Sequence, residues 1–155
     1  MPKIVYKLLW LVLGAGLLVG VDQAIKSLVW SVEIMPSIGV IGAIQRYRWW
    51  THHPNYGISF GIELPYALSV GLMVVFLLIL LWLLFQRGTR HSLMIVGLIF
   101  SIAGGVSNLV DRVSLGFVRD FIALAPWLPI FNVADVFVVG GVLLIFWGMY
   151  RRGRA

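Results

Sequence analysis

Residues 64–86 contain no Asp, Glu, Lys, Arg or His, and residues 92–110 form a second such run after a short basic turn. A helix needs about 20 mostly apolar residues to cross the hydrocarbon core of a bilayer. Both runs meet that length. Residues 8–30 make a third candidate, interrupted by Asp22 and Lys26, and residues 130–149 a fourth, interrupted by Asp135. The whole chain is 61% hydrophobic and 12% charged, where a soluble domain carries about 25% charged residues. It lacks the polar surface to cover its own side chains in water. The expected fold is therefore an all-α membrane protein. Its four transmembrane helices fall at about 8–30, 65–86, 92–111 and 130–149 of a single membrane domain over 1–155.

Lys3 and Lys7 precede the first apolar stretch in the manner of a signal peptide. No small-residue cleavage site follows, so this stretch reads as a retained span. Between the first two spans, 31–64 contains "QRYRWWTHHPNYGISFGI", with Trp49, Trp50 and Tyr56 suited to a headgroup interface. Backbone without partners cannot sit in hydrocarbon. This stretch is expected to form a small surface subdomain containing β-structure, with Ile58–Phe60 as a short strand, or to pack against the helix ends.

Basic residues set the expected orientation. Lys3 and Lys7, Arg87 and Arg90, and Arg151, Arg152 and Arg154 all fall on one side of a four-span chain. The positive-inside rule makes that side cytoplasmic, with 31–63 and 111–129 outside. The net charge of +6 is spread over these turns rather than gathered in one patch, so no nucleic-acid partner is expected.

The acidic residues are fewer and more telling. Glu33 and Glu63 flank the first outer connection. The other four are Asp22, Asp111, Asp120 and Asp135. Each lies at the outward end of an expected helix or in the short loop beside it, so topology alone gathers them at one depth. An ionisable group in apolar surroundings is unfavourable and usually faces a bundle interior or cavity. One reading is a purely structural network. Asp22 and Lys26 suit it, acid first at i,i+4. Asp111 adjoins Arg112, but helical neighbours do not face each other, so its basic partner need not be the next residue.

Asp120 and Asp135 suit that reading less. Asp135 has no Lys or Arg nearby in sequence, and at i−3 it has Asn132, a neutral hydrogen-bonding partner. Two carboxylates sharing a site of low polarity raise one pKa and hold one proton between them. Such a pair can activate water and protonate a carbonyl, as aspartic proteases do. Other peptidase chemistries find little support. The chain has no Cys, its three His residues form no H-E-x-x-H motif, and no Gly-rich phosphate loop is present. A Ser–Lys pair from Ser59 or Ser107 with Lys26 has nothing specific to mark it. No metal or organic cofactor is called for.

Four stretches in order resemble the lipoprotein signal peptidase family, bacterial signal peptidase II. They are "VDQAIK" (21–26), "NYGISFG" (55–61), "GGVSNLVDR" (104–112) with "VRDF" (118–121), and "FNVAD" (131–135). The resemblance covers nearly the whole chain. It implies an intramembrane aspartyl protease of the bacterial inner membrane that cuts signal peptides from diacylglyceryl-modified prolipoproteins, just before the lipidated cysteine. Its partners would be those lipid-modified signal peptides and membrane phospholipids. No second subunit is needed to complete the site.

By the same resemblance Asp120 and Asp135 are the catalytic pair. Asn108 and Arg112 orient the substrate or its lipid, and Asn132 precedes the second Asp. Asp22, Lys26, Asn55 and Gly57 line or support the cleft. Gly105, beside Gly104, allows a helix or the substrate to approach, and Asp111 supports structure. Two departures stand out. Ile58-Ser59 replaces a pair that is often Ala-Ala, and Arg119 replaces a residue that is often Val. Arg119 is expected either to fold back on Asp120 or to point to headgroups.

A small proton-coupled transporter or a non-catalytic assembly factor would also place Asp residues in a bundle. Transport would tend to continue the polar residues toward the cytoplasmic side. The second, third and fourth spans are instead almost wholly apolar below the outer cluster.

Overall fold

A computed structural model describes residues 3–32, 50–58, 62–86, 92–125 and 127–152. Expectations for 33–49, for Ser59 and Phe60, and for Arg87, Arg90 and Arg154 lie outside the described residues. Four helices are long and apolar enough to cross a membrane: Val5–Ser31, Tyr66–Phe85, Ser92–Leu115 and Val133–Arg151. The first is built from α1 (Lys3–Trp10), a π-helical turn (Leu11–Ala15) and α2 (Gly16–Val32). Then follow β1 (Trp50–Asn55), β2 (Gly57–Ile58), β3 (Ile62–Glu63), α3 (Tyr66–Phe85), α4 (Ser92–Leu115), β4 (Val118–Ile122) and α5 (Val133–Arg152).

Boundaries differ from expectation in ways that matter for the site. The third span does not stop at Asp111 but continues to Leu115, so Asp111 and Arg112 sit within its last turns. The fourth starts at Val133, not 130, which puts Asp135 in its first turn. The expected β-structure between the first two spans is present and joins a strand from beyond the third. Its strand β1 pairs antiparallel with β4, on the far side of the third span, with Asn55 opposite Val118 and His53 opposite Asp120. Within the expected Ile58–Phe60 strand, only Ile58 is described, as the end of β2 against β3.

Helix α4 is the centre of the bundle. On one side Leu98 and Ile102 pack with Leu77, Leu80 and Leu84 of α3. On another, Ile99 and Ala103 meet Ala15, with Leu18 and Val19 beside them. The tightest seam is with α5. A Cβ on Gly97 would lie 2.5 Å from the Gly141 carbonyl oxygen, and one on Gly141 would lie 2.5 Å from that of Gly97. Gly104 is equally closed by the Ala134 carbonyl, and a Cβ on Gly148 would lie 2.6 Å from Met94. Small residues let membrane helices approach until their backbones touch, gaining dispersion contacts where no hydrophobic drive exists between lipid-bathed surfaces.

In the first span Gly14 lies against α4, where a Cβ would meet Ile99 at 3.4 Å, but the other two glycines do not serve that purpose. Gly16 and Gly20 have nothing within 4 Å of a built Cβ. The outward faces carry exposed Leu13, Leu17, Leu28, Trp82, Leu143 and Phe146, which lipid tails would cover. At one end of the bundle Lys7 Nζ donates to the Leu84 carbonyl at 2.6 Å, satisfying a C-terminal carbonyl of α3 with a cation. The four Asp residues gather at the opposite end.

Candidate active site

Two local devices place the carboxylates. Gly116, at φ 84°, ends α4, and its N–H donates to the Arg112 carbonyl at 3.1 Å. Glycine adopts this left-handed conformation without the penalty a side chain brings. The chain turns back and runs into β4. That strand is held by β1 and by Phe131, whose carbonyl accepts from the Phe121 and Ile122 N–H groups. Asp120 thus sits on a short strand, not in a free loop, and is 1% exposed.

Phe131 leads directly into the second device. Asn132 precedes α5 and its Oδ1 accepts from the Asp135 N–H at 3.0 Å, while Asp135 Oδ2 accepts from the Asn132 N–H at 3.0 Å. This is a reciprocal capping box, in which two otherwise orphaned helix-terminal donors are satisfied together. Asp22 Oδ1 accepts the next such donor, the Ala134 N–H, at 2.8 Å.

Three asparagines then fix both carboxylates. Asn132 Nδ2 donates to Asp120 Oδ1 at 2.6 Å, so one residue holds Asp120 by its side chain and Asp135 by its backbone. Asn55 Nδ2 donates to Asp120 Oδ2 at 2.8 Å, while its Oδ1 accepts from the Gly57 N–H at 2.9 Å. Asn108 Nδ2 donates to Asp135 Oδ1 at 2.8 Å. Asn108 Oδ1 accepts from Lys26 Nζ at 2.8 Å and from Asn132 Nδ2 at 3.1 Å.

A buried ionic layer supports this. Lys26 and Asp22 form the i,i+4 pair at 2.8 Å, both fully buried, and Lys26 also lies 3.3 Å from Asp111. Ser107 Oγ donates to Asp22 at 2.6 Å. Asp111 finds its basic partner in Arg119 at 2.7 Å, not in the adjacent Arg112. Arg119 therefore follows neither expected course: its guanidinium turns away from Asp120 and from the headgroups into the protein, bonding Asp111 and Gln23. Arg112 donates to the Tyr56 carbonyl at 2.7 Å, to the Gly57 carbonyl and to Ser69 Oγ. Its Nε has no partner, alone among buried side-chain polar atoms of the described residues.

Burial pushes the Asp120 carboxyl up to about 7, and the charge of Asp135 pushes the same way. Hydrogen bonds from Asn55 and Asn132 and the charge of Lys26 only partly oppose them. Counting charges leads to the same place. Asp22, Asp111, Asp120 and Asp135 face Lys26, Arg112 and Arg119, leaving one excess negative charge that a single proton on the Asp120–Asp135 pair would remove. Among the described residues no group of His, Cys, Asp or Glu has the arrangement to hold a metal ion.

Both carboxylates line a cleft of about 1540 Å³, with Asn55, Gly57, Asn108 and Arg112 at its polar end. Val136, Val139, Gly140 and Leu143 of α5 form its apolar wall, and Met73 reaches it from α3. Gly105 stands apart: a Cβ there would lie 2.9 Å from Leu77 of α3, so it serves helix packing. Asp22, Lys26, Asp111 and Asn132 lie beneath the cleft, where they hold its walls.

Gln23, Ser27 and Ser69 carry parts of this network without having been singled out from the sequence, and Ser107, weighed there only as a partner of Lys26 in a Ser–Lys pair, joins them. Gln23 Nε2 donates to Ser107 Oγ at 2.9 Å and to Asp111 at 2.9 Å. A signal was available. Residues 22, 23, 26 and 27 are polar, and so are 107, 108, 111 and 112. This i, i+1, i+4, i+5 spacing marks one face of a helix. Two such stripes at the same depth have reason to face each other.

Four membrane spans converging at one end on a fixed pair of carboxylates define a polytopic membrane protein of the paired-aspartate type. The family model described as signal peptidase (SPase) II matches residues 14–151. A lipoprotein signal peptidase of Bartonella tribocorum is 33% identical over 147 residues, covering 89% of this chain and 84% of that one. Another, from Streptococcus pneumoniae, is 34% identical over 141 residues, covering 87% and 88%. A bacterial membrane enzyme solved by the in meso method at 2.3 Å resolution superposes with a TM-score of 0.74 at 27% identity, covering 91% of this chain and 87% of that one. The chain belongs to the signal peptidase II family, and is accordingly a peptidase.

Proposed function

We propose that Asp120 and Asp135 are the dyad with which this peptidase hydrolyses lipoprotein signal peptides. The observation that carries the reading is their joint attachment to Asn132, with Asp120 buried and held up at about 7. At neutral pH the pair retains one proton. A water between them loses a proton to the ionised carboxylate as its oxygen attacks the scissile carbonyl carbon. The protonated carboxyl donates to the carbonyl oxygen, giving a tetrahedral diol. Collapse of the diol breaks the C–N bond, returns one proton to the dyad and transfers another to the leaving amine.

The substrate is a lipid-modified precursor in this reading. A helical carbonyl is already hydrogen-bonded, so the scissile segment must lie extended against Asn55, Asn108 and the unpartnered Arg112 Nε. The apolar wall from Val136 to Leu143 would run beside the signal peptide or its acyl chains. The dyad end faces outward and both termini face the cytoplasm of a bacterium, a reading supported by the Lys and Arg positions. Every group named comes from one chain, which supports function as a monomer.

Cleavage of a diacylglyceryl-modified prolipoprotein in detergent tests this. Wild type should cut it and leave the unlipidated form intact, and folded Asp120→Asn and Asp135→Asn should each lose at least about a hundredfold, the scale of a lost general acid or base. Full-rate cleavage by either variant would remove that residue from the dyad.

A further inference from the structure

Arg119 is the most heavily engaged cation of the ionic layer, yet it has no contact with either proposed reacting carboxylate. It is 9% exposed and adjoins Asp120 in β4, where successive side chains point to opposite faces. Its backbone N–H donates to Asp111 Oδ2 at 3.0 Å, its Nε to the same oxygen at 3.3 Å, and its Nη2 to Asp111 Oδ1 at 2.7 Å. Gln23 Oε1 accepts from Nη2 at 2.7 Å, and Ser27 Oγ from Nη1 at 3.3 Å.

The charge on Asp111 decides where Lys26 sits. An ammonium has three donors, and Lys26 Nζ directs them to Asp22 at 2.8 Å, Asn108 Oδ1 at 2.8 Å and Asp111 at 3.3 Å. Asp111, the longest of the three, is the one that Arg119 already neutralises. Without Arg119 a buried carboxylate would hold Lys26 as its nearest cation, and buried charges are strongly unfavourable unless paired. Lys26 would close on Asp111 and leave Asn108 Oδ1. That contact, together with the donation from Asn132 Nδ2 at 3.1 Å, sets which end of the Asn108 amide faces Asp135. With it, Nδ2 donates to Asp135 Oδ1; with the amide reversed, an oxygen would face a carboxylate.

We propose that Arg119 is a positioning residue for the dyad. By neutralising Asp111, it leaves Lys26 free to join Asn132 in holding the Asn108 amide in the orientation that donates to Asp135. The inference rests on the dyad reading given above. It makes the Arg at this position part of a relay, Arg119 to Asp111 to Lys26 to Asn108 to Asp135, and not a plain filler of the β4 strand.

A double-variant cycle on cleavage of the lipidated precursor tests it, with kcat and KM read separately. Arg119→Met should lower kcat by about tenfold or more with little change in KM. Adding Asp111→Asn should restore most of that loss, a coupling of the size shown by residues in one network. The neutral amide at position 111 keeps an oxygen for the residue-119 N–H but no longer draws Lys26. Arg119→Lys, which keeps the charge, should stay within a few-fold of wild type. Should Arg119→Met not fold, Arg119→Gln replaces it, keeping a donor without the charge. An Arg119→Met enzyme with wild-type kcat, or a double variant no faster than the single, would overturn the proposal. Asp120→Asn in the same series tests the dyad separately: if it still cut, the dyad reading would fail whatever Arg119 did.

Discussion

Replacing Asp120 by Asn should remove a pH dependence of stability that the site imposes on the fold. The folded Asp120 carboxyl titrates at about 7, against 3.8 for an unperturbed group. Between those values the folded state holds a proton that the unfolded chain releases. Stability therefore falls as pH rises through this window and levels off above it. The gap is about 3 units, worth at most ~4 kcal/mol at roughly 1.36 kcal/mol per unit. Asn cannot ionise and removes this slope. It also removes one of the two acceptors that meet Asn132 and Asn55, and an orphaned buried donor costs about 1–3 kcal/mol. The variant should thus be less stable than wild type at pH 5 and gain on it up to pH 8. The relative change is ~3 kcal/mol over the two units from pH 5 to about 7, or roughly 6–12 °C in Tm for a chain of this size. Thermal unfolding in detergent, followed by tryptophan fluorescence at several pH values, reads this directly. Tm curves that run parallel for the two proteins would show that Asp120 is not held protonated, and the argument from burial would fall.

Other consequences can be measured alongside. The rate of cleavage, read as kcat/KM, should decline as pH rises past about 7, when the pair loses its shared proton; a rate that keeps rising through pH 9 would contradict a dyad holding one proton. Asn132→Ala removes both the α5 cap and the Asp120 contact. It should lower Tm by the equivalent of about 1–2 kcal/mol and reduce cleavage far more than that loss of fold accounts for, as seen by comparing Tm with kcat on the same sample. Gly104→Val should separate α4 from α5 and destabilise by about 2 kcal/mol or more, whereas Gly16→Ala, with open space around it, should leave stability unchanged or raise it by up to about 1 kcal/mol; detergent melting curves distinguish them.

The spans were legible because lipid imposes one rule on every residue of a helix that crosses it, and the uncharged runs at 64–86 and 92–110 obey it without exception. The gathering of Asp22, Asp111, Asp120 and Asp135 at one depth followed from topology alone. Strand β4 did not. Five residues between a helix and a loop carry no decisive period, and β4 is a strand because β1, more than sixty positions earlier, is brought beside it by the helices. Arg119 was misread for a related reason. Sequence gives its neighbours along the chain, but its partners, Asp111 and Gln23, are selected by the turn at Gly116 and by the stripe on α2. Asn132 was readable at i−3 from Asp135 and the resemblance supplied Asn55 and Asn108, while the capping box explains physically why Asn132 and Asp135 act as a unit.

The seam between α4 and α5 has a further consequence. Gly97, Gly104, Gly141 and Gly148 bring the two backbones so close that neither helix can rotate or slide without collision. Asn108 rides on one and Asp135 on the other, so this half of the cleft behaves as an anvil. A bulky precursor entering sideways from the lipid must find its room elsewhere. The side free of that seam is bounded by Met73 of α3 and by residues 123–125 and 127–130. Differences among precursors in shape and acyl-chain volume would be absorbed there, while the distance between the polar groups that do the chemistry stays fixed.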